Sequence, residues 1–289
     1  MNQVALITGA SRGIGRACAL SLAEHGFDCV VAARTVTGTE VNEYTRAGTV
    51  QVRTMPGSLQ ETAALIEERG RRTAVVPLDL TDRASVEEAA RSALSAFGRI
   101  DVLVNNAIYQ GPGIHDPALE ITPDNLETVY RANVVHQLLL IQRLLPDMVA
   151  RKTGSIINMV SGAGTVDPFV RASDGGWGFG YGSSKAALIR LAGFLDIENP
   201  DCGVNFYTVD PGLILTDLMR EMGLTDEYIS NFGGAPAEVA GEVIAYLATS
   251  PDARVWHKKL LFAQPLCKKL ELVPGWPEPV EASSAQAAT

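Results

Sequence analysis

Apolar residues fall into two alternating patterns along this chain. Short, nearly continuous apolar runs occupy residues 4–7, 29–32, 74–77, 102–104, 155–160, 204–209 and 259–262. Between them lie segments whose apolar positions recur every three or four residues, at 14–23, 62–69, 85–97, 125–150, 181–195 and 237–248. A run such as Val102-Leu103-Val104 has no polar face, as a strand covered on both sides requires. The periodic segments suit helices with one buried stripe. Their regular alternation predicts an α/β fold, a doubly wound parallel sheet of about seven strands with helices on both faces. Segment 125–150 reads as one long helix bent near Pro146, because proline removes a backbone donor.

Four segments break the rhythm. Residues 35–57 form a polar insertion, and 41–53 alternates weakly enough to predict a hairpin. Residues 163–180 are glycine-rich and carry Asp167, Arg171, Asp174, Trp177 and Phe179. Residues 213–235 follow the Pro211-Gly212 turn and read as a lid. Residues 274–289, rich in Pro, Ala, Ser and Glu, read as a disordered tail. The expected organisation is one domain, 1–273, with that tail beyond it.

Composition narrows the function. The chain has 289 residues, 46% hydrophobic, with a net charge of −9. It lacks a basic block or aromatic-interleaved basic stripe, which excludes nucleic-acid binding from the expectation. The apolar stretch 134–150 is interrupted by His136, Gln137, Gln142, Arg143 and Asp147, so no membrane span is expected. No basic leader with an apolar run precedes the first strand, and a cytoplasmic location is expected. Cys18, Cys29, Cys202 and Cys267 are scattered and read as free thiols. His25, His115, His136 and His257 show no ligand spacing, so each reads as structural or surface and no metal site is expected.

Candidate chemistry begins at the first strand, which runs into Thr8-Gly9-Ala10-Ser11-Arg12-Gly13-Ile14-Gly15 before a helix. Glycines allow a tight turn and close approach to a pyrophosphate. The helix N-terminus adds free N–H groups and partial positive charge. The second strand ends at Ala33-Arg34 with no carboxylate. An acid there would bind the ribose 2′-hydroxyl of NAD, whereas arginine suits the 2′-phosphate of NADP. Arg12 and Arg34 therefore favour NADP. Further on, Tyr181 and Lys185 lie four residues apart and share a helix face. A phenol titrates near 10, and a neighbouring cation lowers that value, so the pair can act as a proton-transfer device.

These elements together resemble the short-chain dehydrogenase/reductase family across residues 3–250. Thr8–Gly15 resembles its glycine turn, and Leu78-Asp79-Leu80 the site at the adenine. Asn105-Asn106-Ala107 resembles the start of N-N-A-G, and Tyr181–Lys185 matches Y-x-x-x-K. Asn133, in the long helix, and Ser161, after a strand, stand where the family keeps catalytic residues. Pro211-Gly212-Leu213-Ile214-Leu215-Thr216 resembles the segment that holds the nicotinamide carboxamide. The resemblance implies a Rossmann-type fold and a catalytic set of Asn133, Ser161, Tyr181 and Lys185. It implies cofactor contacts from Thr8, Gly9, Ser11, Arg12, Gly13, Ile14, Gly15, Arg34, Asp79, Leu80, Asn105, Ala107, Tyr181, Lys185, Pro211, Gly212, Ile214 and Thr216.

The implied reaction is hydride transfer between NADP(H) and a small-molecule ketone or secondary alcohol. Lys185 is expected to lower the Tyr181 pKa, Ser161 to fix the substrate oxygen, and Asn133 to hold a water. The alternatives are an NAD-dependent alcohol dehydrogenase and a non-catalytic NADP-binding sensor. Family likeness implies a homotetramer or homodimer. The chain departs from the pattern at Ile108, at Val160, in the long Ser161–Tyr181 interval and at its C-terminal part, 250–273. Leu213, Leu215, Leu218, Met219, Met222 and Phe232, with Ile108, Trp177 and Phe179, lead us to expect a hydrophobic substrate.

Overall fold

Seven parallel strands make one sheet, in the order β5-β2-β1-β6-β7-β8-β9. In chain order the elements are β1 (Val4–Thr8), α1 (Gly13–Glu24), β2 (Asp28–Ala33), β3 (Asn42–Arg46), β4 (Thr49–Arg53), α2 (Leu59–Glu68), β5 (Thr73–Pro77), α3 (Arg83–Phe97), β6 (Val102–Asn105), α4 (Pro123–Tyr130), α5 (His136–Arg151), β7 (Gly154–Met159), α6 (Phe179–Glu198), β8 (Val204–Asp210), α7 (Ala237–Thr249), β9 (Leu260–Phe262) and α8 (Ala263–Leu270). The computed structural model describes residues 2–46, 49–217, 219 and 233–277.

The continuous apolar runs are explained by two cores, one on each face of the sheet. Ala5, Ile7, Cys29, Val31, Val104, Ile157 and Val209 join residues of α1, α2 and α7. Val4, Leu6, Val30, Leu103, Ile156 and Phe206 join residues of α3, α5 and α6. Successive side chains thus enter opposite cores, and neither face of a central strand meets water. All four cysteines are buried and unpaired. None of the described helices is long and apolar enough to cross a membrane.

Three expectations need correction. The helical segment at 125–150 is interrupted at Arg131–Val135, which is π-helical, while Pro146 lies inside uninterrupted α5. Such an inserted residue often marks a functional position, and Asn133 sits in it. Of the expected tail, 274–289, Trp276 packs against the first core beside Leu272 and Val273; residues 278–289 lie outside the described set. Helix α8 was not expected from the sequence. The anticipated hairpin is present as antiparallel β3–β4, with Tyr44 opposite Gln51.

Asp28, fully buried at the start of β2, links that strand to the entry of β5. Its carboxylate accepts bonds from Arg72 Nε (2.9 Å), Arg72 Nη2 (2.6 Å) and the Arg72 amide (3.0 Å). Burial opposes ionisation, but the bonds from Arg72 and Asn2 outweigh it and hold the pKa below the usual carboxylate value. A depressed folded pKa adds stability above the unfolded value, near 3.9, and that stability is lost as pH falls through the folded pKa. Asp28→Asn should therefore lose about 2 kcal/mol at pH 7. Thermal unfolding should show the gap to wild type narrowing below about pH 4. A pH-independent gap would contradict this role.

Candidate active site

The carboxyl ends of β1, β2, β6, β7 and β8 open into one cavity of about 1160 Å³. Between the parallel neighbours β1 and β6 the strand order reverses, the chain continuing from β1 to β2 and β5 on one side and from β6 to β7, β8 and β9 on the other, and such a switch point is where open α/β sheets bind ligands.

The glycine turn forms one wall. Gly9 and Gly13 have φ of +70° and +54°, conformations that favour glycine. Gly15 allows close packing: a Cβ there would lie 2.2 Å from Gly9 O and 2.6 Å from Asn106 Nδ2. Asn106 fixes the turn by donating to Thr8 O (2.9 Å). Thr8 lies behind the turn and does not line the cavity. Its Oγ1 donates to Val104 O (3.2 Å) and accepts from the amides of Asn106 and Ala107, both at 3.0 Å. α1 has no side-chain N-cap, and its Gly13 amide donates to Asp217 Oδ2 (3.0 Å). A carboxyl oxygen thus accepts from this helix end, where the dipole favours an acceptor. Close glycine packing and an anion-attracting helix start fit a dinucleotide pyrophosphate.

Arg12 does not stand free toward a 2′-phosphate. Its Nε donates to Pro56 O (2.7 Å), Nη2 to Thr35 Oγ1 (3.0 Å) and Gly57 O (3.3 Å), and Nη1 to Tyr44 Oη (3.3 Å). Arg12 is therefore the peg that holds the β3–β4 insertion over the turn. Arg34 lines the cavity and has no hydrogen bond or ion pair among the described residues.

Asp79 and Leu80 line the cavity, as do Ala107, Ile108, Pro211, Gly212, Ile214 and Thr216. Asp79 Oδ1 accepts from the amide and hydroxyl of Thr81, both at 2.8 Å. Asn105 is buried below the floor, donating to Asn158 Oδ1 (3.0 Å), and does not reach the cavity. Of the anticipated apolar surface, Leu213, Met219, Ile108 and Trp177 line it. Leu215 is buried elsewhere, Phe179 is 53% exposed and outside the lining, and Leu218, Met222 and Phe232 fall outside the described residues. Most of the expected lid is likewise undescribed. Ser173, Asp174, Gly175 and Gly176, from the long interval after Ser161, do reach the wall.

Ser161 at the end of β7 and Tyr181 and Lys185 on α6 meet at this cavity. Lys185 is 5% exposed, donates to Met159 O (2.8 Å), and holds its Nζ 5.9 Å from the Tyr181 ring centre. Burial lowers the Lys185 pKa to about 8, with Asp210 opposing the shift. Tyr181 shifts the other way from the expectation. Burial raises it, the Ser161 hydroxyl lowers it and the Asp210 carboxylate raises it again. In this environment desolvation of the phenolate outweighs any help from Lys185. Asn133 does not line the cavity; its Oδ1 accepts from the Tyr109 amide (2.8 Å) and its buried Nδ2 has no partner among the described residues. Ser161 Oγ also accepts from the Ala163 amide (3.3 Å), so it caps local backbone as well.

Sequence reasoning missed Tyr44, His115 and Asp210, all of which line the cavity. Asp210 adjoins Pro211-Gly212 and could have been noticed there. Tyr44 and His115 carry no local signal, since long-range packing brings them in.

Comparison with known proteins gives a consistent picture. A family model described as short chain dehydrogenase matches residues 3–58 and 45–227. The 3-oxoacyl-[acyl-carrier-protein] reductase of Synechocystis sp. is 32% identical over 256 residues, spanning 87% of this chain and 91% of the relative. A metagenomic short-chain oxidoreductase solved in complex with NADP is 28% identical, with a TM-score of 0.66, covering 87% of this chain and 92% of that one. The 3-oxoacyl-[acyl-carrier protein] reductase of Brucella melitensis, solved in complex with NAD, shares the fold at 24% identity and a TM-score of 0.72, covering 91% and 96%. With its sheet order, glycine turn and Tyr181–Lys185 pair, the chain belongs to the short-chain dehydrogenase/reductase family and is an oxidoreductase of CH–OH and C=O groups that uses a nicotinamide cofactor.

Proposed function

We propose that the chain catalyses NADP(H)-dependent interconversion of a ketone and a secondary alcohol on a mainly apolar substrate. The observation that carries this reading is the convergence of Ser161, Tyr181 and Lys185 on the same cavity that the glycine turn lines. The backbone of Gly9, Ser11, Ile14 and Gly15 would hold the pyrophosphate, with the Gly13 amide joining them on leaving Asp217. Asp79 and Leu80 would hold the adenine, Ala107 and Lys185 the ribose, and Pro211, Gly212, Ile214 and Thr216 the nicotinamide end. When bound, the nicotinamide supplies or accepts the hydride.

The chain's own residues manage the proton. Tyr181 donates from Oη to the carbonyl oxygen in reduction and takes the alcohol proton in oxidation. Ser161 steadies the same oxygen as charge develops on it. Lys185 keeps a cation beside the phenol, and its bond to Met159 O fixes its position. The orphan Asn133 Nδ2 is the kind of buried donor that an ordered water satisfies, which supports the expected water-holding role. Ile108, Val160, Trp177 and Leu213 exclude bulk water and favour apolar substrate carbon. The 3-oxoacyl substrate class named for the Synechocystis relative is compatible with this wall. Exposed Phe194 and Ile197 on α6 support assembly as a homodimer or homotetramer. Residues 1–273 are read as one catalytic unit.

Cofactor choice rests mainly on Arg34, because Arg12, which also lines the cavity, gives four of its N–H donors to the insertion and to Thr35; that engagement is what favours an NAD-dependent alternative. The NADP-bound relative supports the NADP reading. NADPH and NADH consumption measured over a panel of ketones should show turnover and a preference for NADPH. Arg34→Ala should weaken NADPH about 10-fold or more and leave NADH nearly unchanged. Preference for NADH in the wild type would reverse the cofactor assignment, and no turnover with either would defeat the reading.

A further inference from the structure

Three of the four histidines have identifiable bonds. His25 Nδ1 lies 2.9 Å from Ser21 O, and His136 Nδ1 lies 2.6 Å from Leu80 O. His257 accepts from the Phe206 amide and sits 2.7 Å from Asp196 Oδ1. His115 is different. It has no hydrogen bond among the described residues, its Nδ1 is buried without a partner, and its ring lines the cavity. That ring lies 5.5 Å from the Tyr181 ring, centre to centre, at 44°.

The juxtaposition is built into the backbone. The Tyr181 amide donates to Ile114 O (3.1 Å). A Cβ on Gly178 would fall 2.7 Å from His115 Cα, and one on Gly180 would fall 2.4 Å from Gly113 O. The start of α6 is thus clamped onto residues 113–116, and His115 cannot drift away from the phenol. Burial lowers the His115 pKa below its ordinary value, with nearby Asp116 opposing. The imidazole is therefore neutral at pH 7, carrying one N–H donor and one lone pair. Ile108, Val160 and Trp177 also line this cavity and offer no hydrogen bond to a substrate oxygen from their aliphatic and ring carbon surfaces. The buried Nδ1 is closed off from the cavity, so the nitrogen a ligand there can use is Nε2, which has no hydrogen bond among the described residues.

We propose that His115 is a substrate-binding residue that selects carbonyl substrates bearing a second oxygen one or two carbons from the reacting carbonyl. The imidazole hydrogen-bonds that second oxygen while Tyr181 serves the first. The inference rests on the reading of Tyr181 as proton donor, and it deepens that reading by naming a substrate class: 1,2- and 1,3-dioxygenated compounds over simple ketones. A site built around a hydrogen bond discriminates strongly against the analogue lacking the partner, because its own polar group is then left unpaired.

The test compares kcat and KM, with NADPH, for 2-hexanone, 2,3-hexanedione and ethyl 3-oxohexanoate in wild type, His115→Phe and His115→Asn. Thermal unfolding and NADPH fluorescence titration report folding and cofactor binding in each. His115→Phe should lower kcat/KM for at least one dioxygenated probe about 10-fold or more relative to 2-hexanone, mainly through KM. His115→Asn, which keeps a donor and an acceptor, should recover part of that ratio. Should His115→Phe not fold, His115→Ala reads the same ratio. Equal losses on all three probes, or no loss, would overturn the role of His115 and leave the oxidoreductase reading standing. A wild type that binds NADPH and reduces none of the probes would count against both.

Discussion

Tyr181→Phe should reduce turnover by about 10²–10⁴-fold, the range that a positioned acid–base group contributes. The change deletes one oxygen. The ring keeps its packing against His115 and its place under Lys185 Nζ. The glycine turn and Arg34 are left unchanged, so NADPH should bind with nearly wild-type affinity, measured by fluorescence titration. The direction of the Tyr181 shift adds a pH signature. Burial, against the Ser161 hydroxyl and with Asp210, keeps the phenol protonated at neutral pH. A protonated phenol is the form that carbonyl reduction needs. Alcohol oxidation needs the phenolate, so its rate should climb as pH rises above 7 while reduction does not. Lys185, lowered to about 8 by burial, loses its charge within that range and weakens support for the phenolate. Variant turnover above a tenth of wild type would remove Tyr181 from the proton path.

Gly15→Ala should abolish measurable NADPH binding and lower stability by about 1–3 kcal/mol, the usual cost of forcing a group into filled space. The new Cβ would meet Gly9 O at 2.2 Å and Asn106 Nδ2 at 2.6 Å. The first is backbone, and the second is held by its bond to Thr8 O. Neither can yield without moving the turn that would hold the pyrophosphate. Gly193→Ala on α6 is the control, since a Cβ there meets nothing within 4 Å. NADPH titration and thermal unfolding of both variants decide the matter. Normal binding by Gly15→Ala would mean that the turn does not hold the cofactor.

The parts of this site that were legible in the sequence are those written in short stretches. Gly9, Gly13 and Gly15 are needed for local backbone reasons, and Tyr181 and Lys185 share a face by helical geometry alone. Other surroundings could not be read because they turn on partners far along the chain. Arg12 reads as available for a phosphate, whereas Thr35, Tyr44, Pro56 and Gly57 take four of its N–H donors. Asn105 belongs to the N-N-A sequence, yet its side chain points to Asn158 on the neighbouring strand. The break in the long helix fell at Arg131–Val135 and not at Pro146. His115 gave no motif, and only the clamp onto α6 sets it against Tyr181.

By itself the sequence determined the alternation of strands and helices, the two-sided burial of the sheet and the presence of a glycine turn and a tyrosine–lysine pair. These follow from periodicity and backbone preference, which act between residues a few positions apart. Tertiary structure alone decided which guanidinium is free, which asparagine faces the cavity and which histidine stands beside the phenol. Each of those depends on hydrogen bonds and steric contacts between distant segments, which no local pattern of residues encodes.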